Sequence, residues 1–270
     1  MILLSVMKQY MSVQIGQIDI KVIKGLNDWF WNEVTNKRWE PHTFTIIDKY
    51  LSRQTAFFDL GAWIGPITLY AAHWAKRVFA FEPDPVAFSE LSSNIELNPH
   101  LNNIVICNYF VGSQPGKIKM GNTSIPGNSR SSIFYSNQKE NWTVTSVNLV
   151  HYIKSNNIKP PYFLKIDIEG AEFEVMESLK TVFKYENTIL YLSLHPQLLV
   201  SAIPGRSLVA KIRRRIFLLS TYLRLILTMR YLHYKCDING KIIRLGNMKM
   251  LINGLLLKDY SMIAMNRRHQ

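Results

Sequence analysis

Short apolar runs alternate with helical patterns along the chain from residue 55 onward. The predicted strands are residues 55–60, 77–81, 103–111, 162–168 and 188–194. The predicted helices between them are residues 64–74, 85–98 and 172–183. Strands that are apolar throughout are typical of a parallel sheet buried on both faces. The alternation therefore predicts a doubly wound α/β fold, with helices on both faces of a mostly parallel sheet.

Three segments lie outside this alternation. Residues 1–54 are predicted to form an N-terminal lid or cap, which leaves residues 55–270 as one domain. Residues 112–141 are rich in Gly, Ser and Asn, a composition typical of a hairpin and loop that cover a cleft. Residues 231–265 show strand patterns around the turn Asn239-Gly240, so we expect an antiparallel hairpin at the C-terminal edge of the sheet.

The composition excludes several classes of protein. Two distant cysteines, Cys107 and Cys236, exclude a disulfide framework and a cysteine-ligated zinc site, and they fit a reducing compartment. The chain has no uncharged apolar run of about 18 residues, so we expect a cytoplasmic protein without a membrane span. The formal net charge of +13 concerns partners rather than fold. No nucleic-acid-binding module is recognisable, so nucleic acid is not an expected partner.

Residues 206–232 form a basic helical pattern. Lys211 and residues 213–215 are cationic and precede the apolar run 216–219, and Arg224 follows it. One interpretation is an interfacial helix that docks on an anionic membrane, which makes the protein peripheral to that membrane. The other is a helix that packs on the core and exposes a basic face to solvent.

The clearest indication of a ligand follows the first strand of the sheet. Asp59 stands at the tip of this strand, and Gly61 and Gly65 follow it in a G-x-x-x-G pattern. Gly61 allows a tight turn and a close approach to a ligand, and Gly65 allows the next helix to pack closely. Glu82 ends the second strand, 21 positions after Gly61, where an acidic group typically accepts hydrogen bonds from ribose hydroxyls.

The same loop distinguishes between nucleoside cofactors. The G-x-G-x-x-G pattern of dinucleotide sites is missing, which argues against the alternative of a nucleotide-dependent oxidoreductase. A carboxylate such as Asp59 repels a pyrophosphate but attracts an ammonium or a sulfonium. The loop therefore favours a cofactor with a nucleoside end and a cationic end, and S-adenosylmethionine fits this description.

A second cluster of ionisable residues ends the fourth strand. Lys165, Asp167 and Glu169 share one face by strand alternation within the run KIDIEGAE. Ionisable groups at the end of an apolar strand are costly unless they are paired, so they indicate a site. The alternative is a local salt bridge before the acidic first turn of a helix. His195 ends the fifth strand at the same rim, although a lone His is more often structural.

These motifs resemble those of the FkbM-type methyltransferases over residues 39–196. The shared segments are Trp39-Glu40-Pro41, residues 59–65, Phe81-Glu82-Pro83, Val111-Gly112, residues 146–153 and residues 165–172. The last of them, KIDIEGAE, is the most specific. The resemblance implies a class I methyltransferase fold with a seven-stranded sheet, S-adenosylmethionine as the cofactor, and O-methylation of a sugar, a glycan or a related metabolite. The chain departs from the family at Trp63, where Asn is usual, and at Pro66.

The motifs and the resemblance together assign roles to eleven residues. The cofactor-binding residues are predicted to be Glu40, Asp59, Gly61, Gly65, Glu82, Pro83 and Asn108. Asp167 is the first choice for the general base and His195 the second. Lys165 and Glu169 are assigned to the substrate, and no metal site is predicted. The alternatives are a catalytically degenerate binding protein at a glycan or membrane surface, and a nucleic-acid methyltransferase, which only the charge suggests.

Overall fold

A central sheet organises the chain in the computed structural model. The structure describes residues 9–122, 127, 129, 131–185, 187–201, 203–230, 232–238, 241–244 and 247–266. The strands of these residues are β1 (Tyr10–Ile15), β2 (Ile18–Ile23), β3 (Ala56–Leu60), β4 (Arg77–Phe81), β5 (Ile104–Cys107), β6 (Tyr109–Val111), β7 (Gly116–Asn122), β8 (Glu140–Val147), β9 (Tyr162–Ile166), β10 (Ile189–Leu194), β11 (Leu232–Ile238), β12 (Lys241–Arg244) and β13 (Tyr260–Asn266). The α-helices are α1 (Asp28–Thr35), α2 (Pro41–Tyr50), α3 (Pro66–Ala72), α4 (Pro85–Glu96), α5 (Leu149–Ser155), α6 (Glu172–Ser178), α7 (Pro196–Ser201), α8 (Leu208–Thr228) and α9 (Asn247–Leu255).

The central sheet has the strand order β12-β11-β13-β10-β9-β3-β4-β5 within the described residues. The five strands from β10 to β5 are parallel, and β13, β11 and β12 join them antiparallel. The predicted doubly wound sheet and its antiparallel C-terminal edge are therefore confirmed. The sheet has eight strands instead of the expected seven, because β12 pairs beyond β11. The predicted turn Asn239-Gly240 lies outside the described residues.

Both faces of this sheet are covered, as its apolar strands predict. Phe58 and Leu164 point into a buried cluster with residues of α5, α6 and α8. Phe57 and Phe163 point to the other face, into a cluster with residues of α1, α2 and α3. Burying one Phe side chain stabilises the folded state by about 1.5–3 kcal/mol. The two layers together hold the strand ends in fixed positions.

The N-terminal segment packs on one of these faces. The β1–β2 hairpin and the helices α1 and α2 contribute Ile20, Trp31 and Ile46 to the same buried cluster as Phe57. Ile20, Trp31 and Ile46 are each at most 2% exposed. The role of residues 1–54 as a lid or cap stays a prediction.

Two local predictions differ from the structure. The single strand predicted over residues 103–111 is divided at Asn108, and β6 leaves the central sheet to pair with β8 in a small sheet that also contains β7. The strand pattern predicted over residues 231–265 contains the helix α9. Gly254 disfavours a helix by its propensity. It is required here because a Cβ at this position would lie 2.3 Å from the Tyr222 ring of α8.

Candidate active site

The carboxyl ends of four neighbouring parallel strands meet at one edge of the sheet. In an open α/β sheet this edge is where ligands bind. Asp59 near the end of β3 is the register partner of Lys165 on β9. Glu82 follows β4, and His195 follows β10. The structure thus brings together the strand-end residues that the sequence singles out.

The turn after β3 requires glycine because two loops touch there. Gly61 has a φ of +82°, and a Cβ on it would lie 2.0 Å from the backbone oxygen of Asp167. Gly65 has a φ of +98° at the start of α3, and its Cβ would lie 2.6 Å from Leu91 of α4. Any side chain at Gly61 would push the loop after β3 away from the loop after β9.

Glu82 is held in place by two backbone amides. The N–H of Trp63 donates to Oε2 over 2.7 Å, and the N–H of Asp84 donates to Oε1 over 2.8 Å. Burial raises the pKa of Glu82 to about 8, because the charged form loses its hydration. Asn108 donates from Nδ2 to the backbone oxygen of Glu82 over 2.8 Å, so it holds the end of β4. Each carboxylate oxygen keeps acceptor capacity for a further donor.

Glu82 lines a cavity at the carboxyl end of β4. Its apolar wall is formed by Leu60, Phe81, Tyr109, Phe110 and Val111. Gly61 and Pro83 also line it, and the backbone oxygen of Pro83 accepts a hydrogen bond from Trp142. An apolar slot with the carboxylate of Glu82 at its wall has the chemistry that a nucleoside requires, because a base is flat and apolar and a ribose carries hydroxyl donors.

Five charged side chains form an alternating chain along the rim. Nζ of Lys165 lies 3.3 Å from Oδ1 of Asp59 and 3.8 Å from Oδ2 of Asp167. Nε2 of His195 lies 3.7 Å from Oδ1 of Asp167, and its Nδ1 lies 2.7 Å from Oε1 of Glu172. Three carboxyl groups therefore alternate with two cationic side chains, which pairs each charge with a neighbour of opposite sign.

The two cations keep their protons at neutral pH. Burial alone would lower the pKa of Lys165, but Asp59 and Asp167 outweigh burial and raise it. Burial would also lower the pKa of His195, but the hydrogen bond to Glu172 and the charges of Glu172 and Asp167 raise it to about 10. Burial raises the pKa of Asp59, and this effect is opposed by Lys165 and by a hydrogen bond from Thr68.

A second cavity lies beside the first. Its lining includes Trp39, Glu40, Pro66, Lys165 and His195. The lining residues common to both cavities are Gly61, Trp63, Ser129, Asp167 and Glu169. The two cavities therefore meet at the loops that follow β3 and β9.

Glu40 stands in the second cavity at the start of α2. It has a φ of +39°, and Oγ1 of Thr43 donates to its Oε2 over 2.9 Å. Thr43 in turn lies 3.0 Å from the hydroxyl of Tyr191 on β10. Burial and the charge of Asp167 raise the pKa of Glu40 to about 7. A carboxyl group in this range can exchange a proton near neutral pH.

Glu172 is the main site residue that sequence reasoning missed. It reads as one of several acids in the first turn of a helix, where the helix dipole favours a negative charge. In the structure Glu172 is fully buried, accepts the N–H of Gly170 at 2.9 Å and contacts His195. Glu172 is the last residue of the motif KIDIEGAE, which also contains Asp167. This shared motif is the sequence feature that could have identified Glu172 as a site residue.

The rim also contains the donor types of a cation site. Asp167, Glu172 and His195 each offer a ligand atom, and these atoms lie within 4.8 Å of one another. Oxygen and imidazole nitrogen donors suit several divalent metals. In the present arrangement both ring nitrogens of His195 face carboxylates, and Lys165 adds a second positive charge beside Asp167.

Comparison with known proteins identifies the family. The model of the methyltransferase FkbM domain matches residues 59–199, slightly more than half of the chain. The hexuronic acid methyltransferase AglP of Haloferax volcanii is 22% identical over 157 residues, which are 58% of this chain. The matched part spans 63% of that relative, less than two thirds of its length.

Two solved structures illustrate the structural similarity. Methyltransferase FkbM from Methylobacillus flagellatus KT has 13% identity and a TM-score of 0.46, and the match covers 88% of this chain and 60% of that one. An rRNA methylase from Streptococcus thermophilus has 11% identity and a TM-score of 0.43, and the match covers 83% of this chain and 94% of that one.

The family agrees with the chemistry of the rim. A methyltransferase cofactor needs a place for its nucleoside and a place for a sulfonium, and the residues present fit both. Glu82 and Gly61 line the apolar cavity, and the carboxylates of Asp167 and Glu169 lie at the junction. The chain belongs to the FkbM family of methyltransferases, has the class I methyltransferase fold, and takes S-adenosylmethionine as its cofactor.

Proposed function

We propose that this protein is an O-methyltransferase that modifies a hydroxyl group of a sugar, a glycan or a related metabolite. The observation that carries the proposal is the position of Asp167, whose side chain lines both cavities. A group at this junction can contact an acceptor in the second cavity while a nucleoside cofactor fills the first. The junction is therefore the place where the two reactants meet.

The first cavity is proposed to hold the nucleoside part of S-adenosylmethionine. Glu82 accepts hydrogen bonds from the ribose hydroxyls, and Tyr109, Phe110 and Val111 contact the base. Asp167 and Glu169 supply negative charge at the junction of the two cavities, where the sulfonium is stabilised, and S-adenosylhomocysteine lacks this positive charge. Asp59 is fully buried, pairs with Lys165 and lines neither cavity. The cofactor supplies an activated methyl group, so the protein contributes position, desolvation and proton transfer.

Asp167 is the proposed general base. An alcohol must lose its proton as it attacks, and a positioned side chain has to accept this proton. Lys165 and His195 flank the carboxylate of Asp167 and hold it toward the cavity. His195, whose pKa lies at about 10, is already protonated at neutral pH, so its Nδ1 donates a hydrogen bond to Glu172 and its positive charge faces Asp167. Glu172 fixes the ring of His195 from the opposite side.

The second cavity has the chemistry of a polyhydroxylated acceptor. Trp39 and Trp63 offer flat apolar surfaces, and Glu40 and Glu169 offer acceptors for hydroxyl donors. The relative named hexuronic acid methyltransferase supports a sugar acceptor at low identity. Because sugars present apolar faces and hydroxyl edges, a pocket with aromatic and carboxylate side chains suits them.

The test compares Asp167→Asn with the wild-type protein. Calorimetric titration with S-adenosylhomocysteine measures the cofactor site, and transfer of a radiolabelled methyl group to hexuronic acids and neutral hexosides measures turnover. We expect Asp167→Asn to bind the cofactor product with nearly unchanged affinity and to lose about 100-fold or more in turnover. Unchanged turnover would remove Asp167 from the role of base. A folded wild-type protein without cofactor binding would instead favour the catalytically degenerate alternative.

A further inference from the structure

Helix α8 exposes an apolar stripe on the side that faces away from the core. Its buried face packs through Leu218, Tyr222 and Leu225. The exposed stripe consists of Leu208, Ile212, Ile216, Leu219, Leu223 and Leu227, which follow one another at intervals of three or four residues. Such spacing places them along one face of a helix. Their exposed fractions range from 39% at Leu219 to 72% at Leu208.

The neighbouring helix α9 also exposes apolar side chains. Met248 and Ile252 of α9, and Leu256 directly after it, recur every four residues and are 69%, 46% and 56% exposed. The two helices pack together where Gly254 meets the ring of Tyr222. A stripe of six large side chains, with further ones on the adjacent helix, exceeds the scattered apolar exposure of an ordinary surface.

Cationic residues flank the stripe on both sides. At 100° per residue, Arg213 and Arg224 lie along one border of the stripe, and Lys211 and Arg215 lie along the other. Neither α8 nor α9 contains an Asp or a Glu. The guanidinium of Arg215 donates to the backbone oxygen of Leu255, which is a neutral acceptor, and Arg215 forms no ion pair within the described residues. The surface is therefore apolar along its centre and positively charged along its borders.

Among large partners, an anionic bilayer satisfies both parts of this surface. Nucleic acid would neutralise the cations but leave the apolar stripe in contact with a polar backbone. An apolar protein face would cover the stripe but give the Lys and Arg residues no counter-charge. At a membrane the apolar side chains enter the boundary between headgroups and acyl chains, and the cations contact lipid phosphates. No helix of the described residues has the length and apolar character needed to cross a bilayer.

We infer that α8 docks on an anionic membrane surface, with its apolar stripe in the lipid interface and its flanking Lys and Arg residues on phosphate headgroups. The docked helix is connected to the rim of the sheet. It packs against α6, which begins at Glu172, and against α7, which follows His195 directly. The rings of Phe173 and Tyr222 form one of these contacts, with centroids 5.2 Å apart. This inference concerns binding alone and does not depend on the proposed methyl acceptor.

The test is vesicle flotation of the full chain. One set of vesicles contains phosphatidylcholine alone, and the other contains equal parts of phosphatidylcholine and phosphatidylglycerol. We expect binding to the anionic vesicles and at least about tenfold weaker binding to the neutral ones. No binding to the anionic vesicles would overturn the inference.

Two pairs of substitutions separate the apolar and the charged contributions. The double variant Ile216→Ser, Leu223→Ser removes part of the stripe. Its control is the double variant Leu26→Ser, Trp29→Ser, whose positions lie outside α8 and are 85% and 64% exposed. We expect the α8 pair to weaken vesicle binding at least about tenfold and the control to change it by less than about twofold. Equal losses in both would contradict a specific surface. Circular dichroism verifies that each variant is folded.

The second pair keeps the stripe and removes charge. Arg213→Gln with Arg224→Gln is compared with Lys37→Gln with Lys139→Gln, a control of the same net charge at exposed positions outside α8. We expect at least about tenfold weaker binding only for the α8 pair. If sedimentation shows a dimer that Ile216→Ser with Leu223→Ser dissolves, while vesicles bind none of the proteins, the surface belongs to a second copy and the inference fails.

Discussion

Nδ1 of His195 lies 2.7 Å from Oε1 of the fully buried Glu172. This contact joins the end of β10 to the first residue of α6, and it leaves Nε2 of His195 directed toward Asp167 at 3.7 Å. A buried carboxylate on one ring nitrogen keeps the imidazole charged and fixes its orientation. Glu172 therefore acts on the proposed base through His195, which makes it a positioning residue.

Replacing Glu172 by Gln removes the negative charge and keeps a similar shape. The pKa of His195 should fall from about 10 toward its ordinary value, because the contribution of Glu172 is the largest of those that raise it. Nuclear magnetic resonance of a histidine-labelled sample measures this pKa directly. A His195 titration that is unchanged in Glu172→Gln would show that other groups hold the proton. Glu174→Gln, on the same helix, is the control.

The folded protein should lose stability as the pH rises from about 4.5 to about 10. The pKa values of Glu40 and Glu82 are raised to about 7 and about 8, and that of His195 to about 10. Each group binds its proton more tightly in the folded state than in the unfolded state. Its stabilising contribution is complete below the unfolded pKa and is lost as the pH rises through the folded pKa.

Thermal unfolding of the cofactor-free protein between pH 6 and pH 9 measures this effect. The melting temperature should fall across this interval, and it should fall less steeply in Glu82→Gln below about pH 8, because one of the titrating groups is then absent. A melting temperature that rises from pH 6 to pH 9 would contradict the assignment of these raised pKa values.

Cofactor affinity should increase as the pH rises through about 8. Only the charged form of Glu82 can accept hydrogen bonds from two hydroxyl donors, and burial keeps part of this group protonated at neutral pH. Calorimetric titration of S-adenosylhomocysteine at pH 6.5 and pH 8.5 should show tighter binding at the higher value. Glu82→Ala should weaken binding at least about tenfold and remove the pH dependence. Glu96→Ala, at an exposed position of α4, is the control and should change neither.

The sequence predicts the strand ends of this site better than the contacts between them. Asp59, Glu82 and Lys165 each stand at the end of an apolar run, and parallel strands bring such ends to one edge by topology alone. The partnership of Glu172 with His195 depends on how α6 packs against the sheet, so local patterns do not reveal it. Local patterns also do not reveal that Glu40 lines the second cavity, because the position of α2 is set by tertiary packing.

Two features of the backbone also differ from what local sequence patterns predict. Asn108 interrupts an apolar run of high strand propensity, yet its side chain bonds to the backbone of Glu82 and the chain changes sheets there. Gly254 lies within a predicted strand pattern and has a low helix propensity, but it is part of α9, where Tyr222 of α8 leaves no room for a Cβ. In both places a contact between distant residues outweighs local propensity.

Trp63 is the residue at which the chain departs from its family within the cofactor loop, and it lines both cavities. Its φ is +49°, a conformation that Asn adopts more readily than an aromatic residue. Its ring packs at 4.4 Å on Phe30, and its Nε1 donates to the backbone oxygen of Gly127. The backbone N–H of Trp63, which holds Glu82, does not depend on the side chain.

We therefore expect Trp63→Asn to affect acceptor binding in the second cavity much more than cofactor binding in the first. Affinity for S-adenosylhomocysteine should change by less than about threefold, because the hydrogen bond to Glu82 remains. The KM for the acceptor should rise at least about tenfold, because an aromatic surface of the second cavity is lost. Trp29→Asn is the matched control, since Trp29 contacts the same Phe30 ring but is 64% exposed. A loss of cofactor affinity as large as the rise in KM would show that Trp63 serves the nucleoside cavity instead.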